Sequence, residues 1–396
     1  MKNTGAKARS LLRNTLIRHE NKRDRIFALV SVLFMAICMA LPTGFEGSAV
    51  PGRAKLARGK ILDVNNEKVK ITGPVKQGEQ QFEVEIRSGP FKGQIFSGSN
   101  NLMGKIELDK LFAPGDSALV SVSISEDGAM RHAQVMDHYR TGKTVFLCVL
   151  FFLFIILIMG WMGVKIIISF VFTAAALIRI LFPAMLRGWD PIAASVIITT
   201  VLTAVIIFLV GGLTKRGLTA FAGSMGGVLL TSLLAFFFTY WFKIHGAVRP
   251  FAETLLYSGY AHLNIARLFI SGIFLASSGA MMDLAMDIAS AMDEIKKQHP
   301  AVTRFNLIKS GVSVSRHAAG TMSTTLLLAY SAEYTAMIMT FIAQGVPLEN
   351  VINMVWVSSE IVHTLVGCFG LTLVAPLTVF AGGIILGGKD RGGFSA

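Results

Sequence analysis

The chain has 396 residues, of which 53% are hydrophobic and 15% charged, with a mean hydropathy of +0.59. Soluble domains carry about 25% charged residues, so the composition excludes an ordinary soluble enzyme and points to a chain dissolved mostly in lipid. The formal charge of +13 is spread over one tail and several loops, without the aromatic interleaving of a single-strand binding groove, which argues against a nucleic-acid partner.

Residues 1–25 hold eight Lys or Arg against two Asp or Glu, and Ile26 to Leu41 is apolar up to Pro42. This reads as a basic cytoplasmic tail and signal anchor over 1–42, because the charged region is long for a cleaved signal peptide. Residues 43–141 are a different kind of chain. Gln81 to Arg87 and Ala118 to Ile124 alternate as half-buried strands do. Turn residues such as Thr72-Gly73-Pro74, Ser88-Gly89-Pro90, Pro114-Gly115-Asp116 and Glu126-Asp127-Gly128 punctuate the runs. The spacing predicts five to seven short strands, an OB or SH3-like barrel outside the membrane. Its strands bind a sugar, a peptide or a partner subunit, or form a folded cap with no ligand. Cys38, Cys148 and Cys368 all lie beside apolar runs, so this segment has no disulfide. Gly142-Lys143-Thr144 lacks the upstream glycine of a phosphate loop.

Residues 142–396 form a multi-span helical region, since a spanning helix needs roughly 20 mainly apolar residues. Thr144 to Pro183 carries only Lys165 and Arg179 as charges and reads as a hairpin turning near Gly160 to Gly163. Pro191 to Gly212 and Gly217 to Phe242 carry none. Ile265 to Ala289 and Thr321 to Ala343 follow. The tract Val351 to Leu386 is one span after a re-entrant or surface helix, or two short spans turning at Gly367 to Gly370. The fold class is therefore a polytopic α-helical membrane protein of about eight spans with a small external all-β domain. With the amino terminus inside, the cytoplasmic segments collect 18 basic residues, which sets the orientation.

Ionisable residues in spans are functional candidates because they are costly there. Asp283 and Asp287 lie four apart on one helix face, where two carboxylates repel unless a proton or cation sits between them or water reaches them. Glu333 falls midway along Thr321 to Ala343. Glu360 and His363 form an E-x-x-H, the unit that helical di-metal sites use twice. Here it occurs once, and the same spacing serves a metal ligand pair, a proton relay or a self-satisfied structural pair. Arg316-His317 supplies a counter-charge or a cytoplasmic anchor. The pattern itself identifies no cofactor.

Several strings resemble the YibE/F-like family of bacterial multi-span membrane proteins. They are Asn101 to Lys105 with Glu107-Leu108-Asp109, Pro250 to Tyr260, Gly272 to Ala280 running into Asp283 and Asp287, Ser310-Gly311, Gly320 to Met322, Leu328 to Tyr330 and Glu360 to Gly367. Ala332-Glu333 departs from the pattern, where small residues are expected. The resemblance implies a protein of the bacterial cytoplasmic membrane and a topology, not a chemistry. Two function classes stay open. One is a carrier or channel for a small solute or ion, with Asp283, Asp287, Glu360 and His363 forming a cation or proton site. The other is a non-catalytic subunit or scaffold in envelope assembly or export, docking a protein partner through the external domain. Neither H-E-x-x-H nor G-x-S-x-G occurs, so an enzyme is the weaker reading.

Overall fold

A computed structural model describes residues 22–45, 55–106, 109–124 and 130–387. The tail ahead of Lys22, Glu107-Leu108, the Glu126 to Gly128 turn, and Lys389 and Arg391 lie outside the described residues. In chain order the elements are α1 (Lys22–Ala40), β1 (Lys55–Asn65), β2 (Val69–Thr72), β3 (Val75–Ile86), β4 (Ile95–Met103), β5 (Ser117–Ile124), β6 (Met130–His138), α2 (Thr141–Met159) and α3 (Trp161–Leu186). After these come α4 (Pro191–Gly211), α5 (Lys215–Trp241), α6 (Ala252–Tyr257), α7 (Ile265–Gln298), α8 (Arg304–Glu333), α9 (Thr335–Ala343), α10 (Leu348–Asn353) and α11 (Val355–Ile385). The chain divides into two compact units, residues 44–157 and residues 1–43 with 158–396.

The first unit holds an antiparallel six-stranded half-barrel in the order β2-β3-β1-β5-β6. Strand β4 pairs along the other edge of β3, from Gln77↔Met103 to Glu85↔Ile95. The alternation in the sequence becomes the core: Phe82, Val84 and Ile86 from β3 and Ala118, Val120 and Val122 from β5 are buried together. Gln80 is fully buried and satisfied, donating from Nε2 to the Phe112 carbonyl (3.0 Å) and accepting at Oε1 from the Phe112 amide (3.0 Å). That reciprocal pair pins the loop ahead of β5 to the sheet.

In the second unit α1 packs on α3 through Phe34 and Phe172 (centroids 5.7 Å) and reaches α4 through Phe27 and Phe208 (6.2 Å). Helix α3 takes a π turn at Leu177–Leu181 just ahead of Pro183, whose ring and missing N–H disrupt the preceding hydrogen-bond ladder. The centre is α5, α7 and α11, with α8 laid antiparallel on α11. Among the described residues six helices are long and apolar enough to cross a membrane, α2, α3, α4, α5, α7 and α11, and α8 with α9 makes a seventh if that bent pair is one span.

One expectation changes, and of the two readings of Val351 to Leu386 the single span after a short helix holds. Helix α8 begins at Arg304, well before Thr321, and the chain bends by 64° between α8 and α9. The region from Val351 on resolves into the short helix α10 and one unbroken α11 that runs through Gly367 and Gly370. The glycines there mark close helix contacts, not a turn.

Asp190 caps α4 by accepting from the Ala193 amide (2.9 Å) and also bonds Arg267 on α7. The Arg267 hydrogen bond holds the Asp190 carboxyl below the usual carboxylate range. A depressed folded value means this stability is present above the unfolded value, about 3.9, and is lost as pH falls through the folded one. Asp190→Ala is expected to destabilise by about 1 kcal/mol at pH 7, the typical worth of a cap, and the deficit should shrink in acid. A deficit in thermal unfolding that stays constant from pH 7 to pH 3 would show that the carboxylate is not responsible.

Candidate functional site

At one end of the helical unit, the loop between α5 and α7 lies against the start of α7. Gly246 (φ 85°) presses its backbone on Ile265, where an added Cβ would stand 2.3 Å from the Ile265 carbonyl oxygen. This contact leads the chain to Arg249, whose guanidinium lies over the Phe269 ring (5.8 Å) and the Tyr334 ring (5.6 Å). From there Arg249 Nη1 bonds the Tyr334 hydroxyl and stands 3.4 Å from Glu360 Oε2 and 3.9 Å from Glu333 Oε2.

Glu360 and His363 sit one turn apart on α11, both buried, with His363 Nδ1 and Glu360 Oε1 3.2 Å apart. The Nδ1–H tautomer donates to the carboxylate, leaving the other ring nitrogen as an acceptor. The Tyr330 ring of α8 packs on the imidazole at 4.4 Å. Glu360 Oε2 is within ion-pair range of Arg249 but makes no hydrogen bond among the described residues, and the buried Tyr330 hydroxyl makes none either. A cavity of about 230 Å³ opens on this carboxylate, lined also by Ser331, Tyr334, Ile338, Thr364 and Leu365. It is apolar apart from one charged group and a few hydroxyls, with room for several waters or a small solute.

Glu333 ends α8 instead of lying mid-span; its side chain is 64% exposed, against 10% for Glu360. Arg249 thus stands between a buried and an exposed carboxylate. Asp283 and Asp287 are elsewhere. Helices α7 and α11 run parallel, with Ser277 beside Gly367 and Met292 beside Gly382. At 1.5 Å per residue, Asp283 lies about 9 Å to one side of the Ser277 level and Glu360 about 10 Å to the other. The single four-residue site expected from the sequence is therefore two places, and both aspartates are exposed on the outer face of α7. Arg316 is exposed on α8 and meets none of these carboxylates in an ion pair among the described residues. Among the described residues no third His, Cys, Asp or Glu joins Glu360 and His363 in a metal-binding group; the cation beside the pair is Arg249.

A second polar feature lies inside the bundle. Ser195, Thr199 and Thr203 recur every four residues on α4, and Ser224 lies on α5. All four are fully buried and their hydroxyls have no hydrogen-bond partner among the described residues. Residues four apart share a helix face, so the three on α4 form a file.

The model of the YibE/F-like protein family matches residues 147–388, more than half of the chain. The chain belongs to the YibE/F-like family. The matched region contains the whole Arg249, Glu333, Glu360 and His363 cluster and the hydroxyl file, whereas the half-barrel precedes it. No curated protein and no solved structure matches the chain.

Sequence reasoning found Glu360, His363 and Glu333 but missed Arg249, Tyr330 and Tyr334. Arg249 carried one signal: it is a basic residue in a short loop on the side that the positive-inside tendency leaves poor in Lys and Arg. Nothing in the sequence pointed to the tyrosines' contacts, because only the antiparallel packing of α8 on α11 brings Tyr330 to His363 and Tyr334 to Arg249 beside Glu360.

Proposed function

We propose that this protein is a carrier or channel for a small solute or ion. In this reading it crosses the bacterial cytoplasmic membrane eight times, with its amino terminus in the cytoplasm and residues 43–141 outside. The observation that carries the reading is the buried Glu360, paired with His363 and facing a cavity, beside a guanidinium that has a second carboxylate within reach. A proton or small cation arriving at Glu360 competes with Arg249, which then moves to Glu333 without losing a negative partner. Exchange between those two arrangements is the kind of two-state element a coupled carrier needs. The hydroxyl file offers oxygen ligands deeper in the bundle, which also supports a path. The eighth span in this count is α1, whose apolar part is short, Ile26–Ala40.

Proteoliposomes containing a pH-sensitive dye and challenged with gradients of Na⁺, K⁺ and H⁺ test this. The wild type is expected to show a flux that Glu360→Gln lowers at least tenfold and Glu333→Gln lowers less. Equal flux in wild type and Glu360→Gln would refute the reading.

The half-barrel supports a second reading, a subunit that docks a partner. A cleft of about 570 Å³ on it is lined by Asp63, Asn65, Gln81, Phe82, Glu83 and Ser97, a mixed polar and apolar surface suited to a protein. A stoichiometric partner crosslinked to residue 97 or 99 in native membranes would favour it.

A further inference from the structure

Helices α7 and α8 each carry an exposed face that a lipid environment does not suit. On α7 that face is Gly272, Ala276, Gly279, Asp283 and Asp287. A Cβ built on Gly272 or Gly279 meets nothing within 4 Å, so the stripe is open along its length. On α8 the exposed face holds Arg316, His317, Gly320, Thr321, Thr324 and Thr325. Lipid solvates neither carboxylates nor a guanidinium, and small residues in spans are where other backbones approach. Neither aspartate nor Arg316 has a hydrogen bond or an ion pair within the chain, among the described residues, and the hydroxyls of Thr321, Thr324 and Thr325 bond only to their own helix.

The two faces match in depth. Met292 touches Gly311, and Ser277 and Leu326 meet at Gly367. Both contacts fix the same antiparallel register, in which Asp287 is level with Arg316, Asp283 with Gly320 and Gly279 with Thr324. A two-fold axis along the membrane normal moves a residue sideways and leaves its depth unchanged. It also pairs each patch with its complement reciprocally, residue i with j and j with i. In such a pair the carboxylates of one copy stand at the level of Arg316 and His317 of the other, and the glycine stripe at the level of the threonines.

We infer that the α7–α8 face is a dimer interface, and that its occupant is a second copy of this chain. The charge pattern selects that occupant. One face carries both members of the ion pair at one depth, which a two-fold partner satisfies twice over. The interface is independent of the flux proposed for the Glu360 cavity.

Two single-cysteine chains, Gly279→Cys and Thr324→Cys in a background with Cys38, Cys148 and Cys368 changed to Ser, are co-expressed full-length with different tags. Oxidation of intact membranes is expected to give a mixed disulfide dimer carrying both tags. Step-counting of single labelled particles in liposomes is expected to give two-copy particles for the wild type. Asp287→Arg alone and Arg316→Asp alone should each lower the dimer fraction at least tenfold at limiting protein density, and the chain carrying both changes should recover it. Recovery separates pairing from misfolding, because a misfolded single variant is not repaired by a second charge reversal. One-copy particles throughout, a disulfide to some other protein only, or failure of the double reversal to restore dimers would overturn the inference.

Discussion

Arg249→Ala is expected to destabilise the protein by about 3 kcal/mol, the low end of the range for removing one member of a buried ion pair. The low end applies because the Arg249 side chain is 28% exposed while that of Glu360 is 10% exposed. The loss leaves a buried carboxylate with only His363 for company, which is where the penalty arises. Glu360→Gln should cost less, because an amide keeps a hydrogen bond to His363 and carries no charge to strand. The double variant Arg249→Ala with Glu360→Gln should be more stable than Arg249→Ala alone, since nothing charged is then left unpaired. Thermal or denaturant unfolding in one detergent supplies the four values, and additivity of the two changes within about 0.5 kcal/mol would show that the residues are not coupled.

The second large effect concerns helix contact in the bundle centre. A Cβ at Gly227 on α5 would stand 1.9 Å from Val374 Cγ2 of α11, with the Val374 Cα at 3.6 Å. The severe clash there is with a methyl, the Val374 Cβ standing farther off at 3.3 Å. At Gly223 the same atom would meet the Thr378 side chain at 2.0 Å and its Cα at 2.7 Å, so the backbone itself is in the way. Overpacking costs typically about 1–3 kcal/mol, occasionally more, and the upper part of that range is expected for Gly223→Ala because the helices must separate. Gly227→Ala is expected to lose about 2 kcal/mol, most of it recovered by Val374→Ala, which removes the offending methyl. Thr378→Ala should rescue Gly223→Ala far less. Equal rescue at both sites in unfolding measurements would show that side-chain bulk, not backbone approach, sets the α5–α11 spacing.

These two tests fall on features that the sequence revealed unequally. Gly367 to Gly370 read equally well as a turn between two spans or as the interior of one. Gly370 faces Thr231, and its Cβ site is 1.9 Å from that hydroxyl oxygen, so the small residues permit contact and the helix continues. Glu333 looked deepest because it sat mid-way in an apolar window. The helix ends there, beside Tyr334, which bonds Arg249 across the bundle, and a window average does not register a contact between residues 85 apart.

The sequence by itself determined the solvent of each segment. Long apolar runs fixed the helices, two-residue alternation fixed β3 and β5, and the Glu360–His363 spacing fixed a shared helix face, because each of these is a local periodicity of the backbone. Only the tertiary structure decided which charges meet. Arg249 reaches Glu360 because a loop crosses the end of α7, and Asp283 is kept about 19 Å from Glu360 along the bundle because α7 and α11 run parallel at a fixed register. Partner choice for a buried charge depends on distances between helices, and helical periodicity carries no information about those.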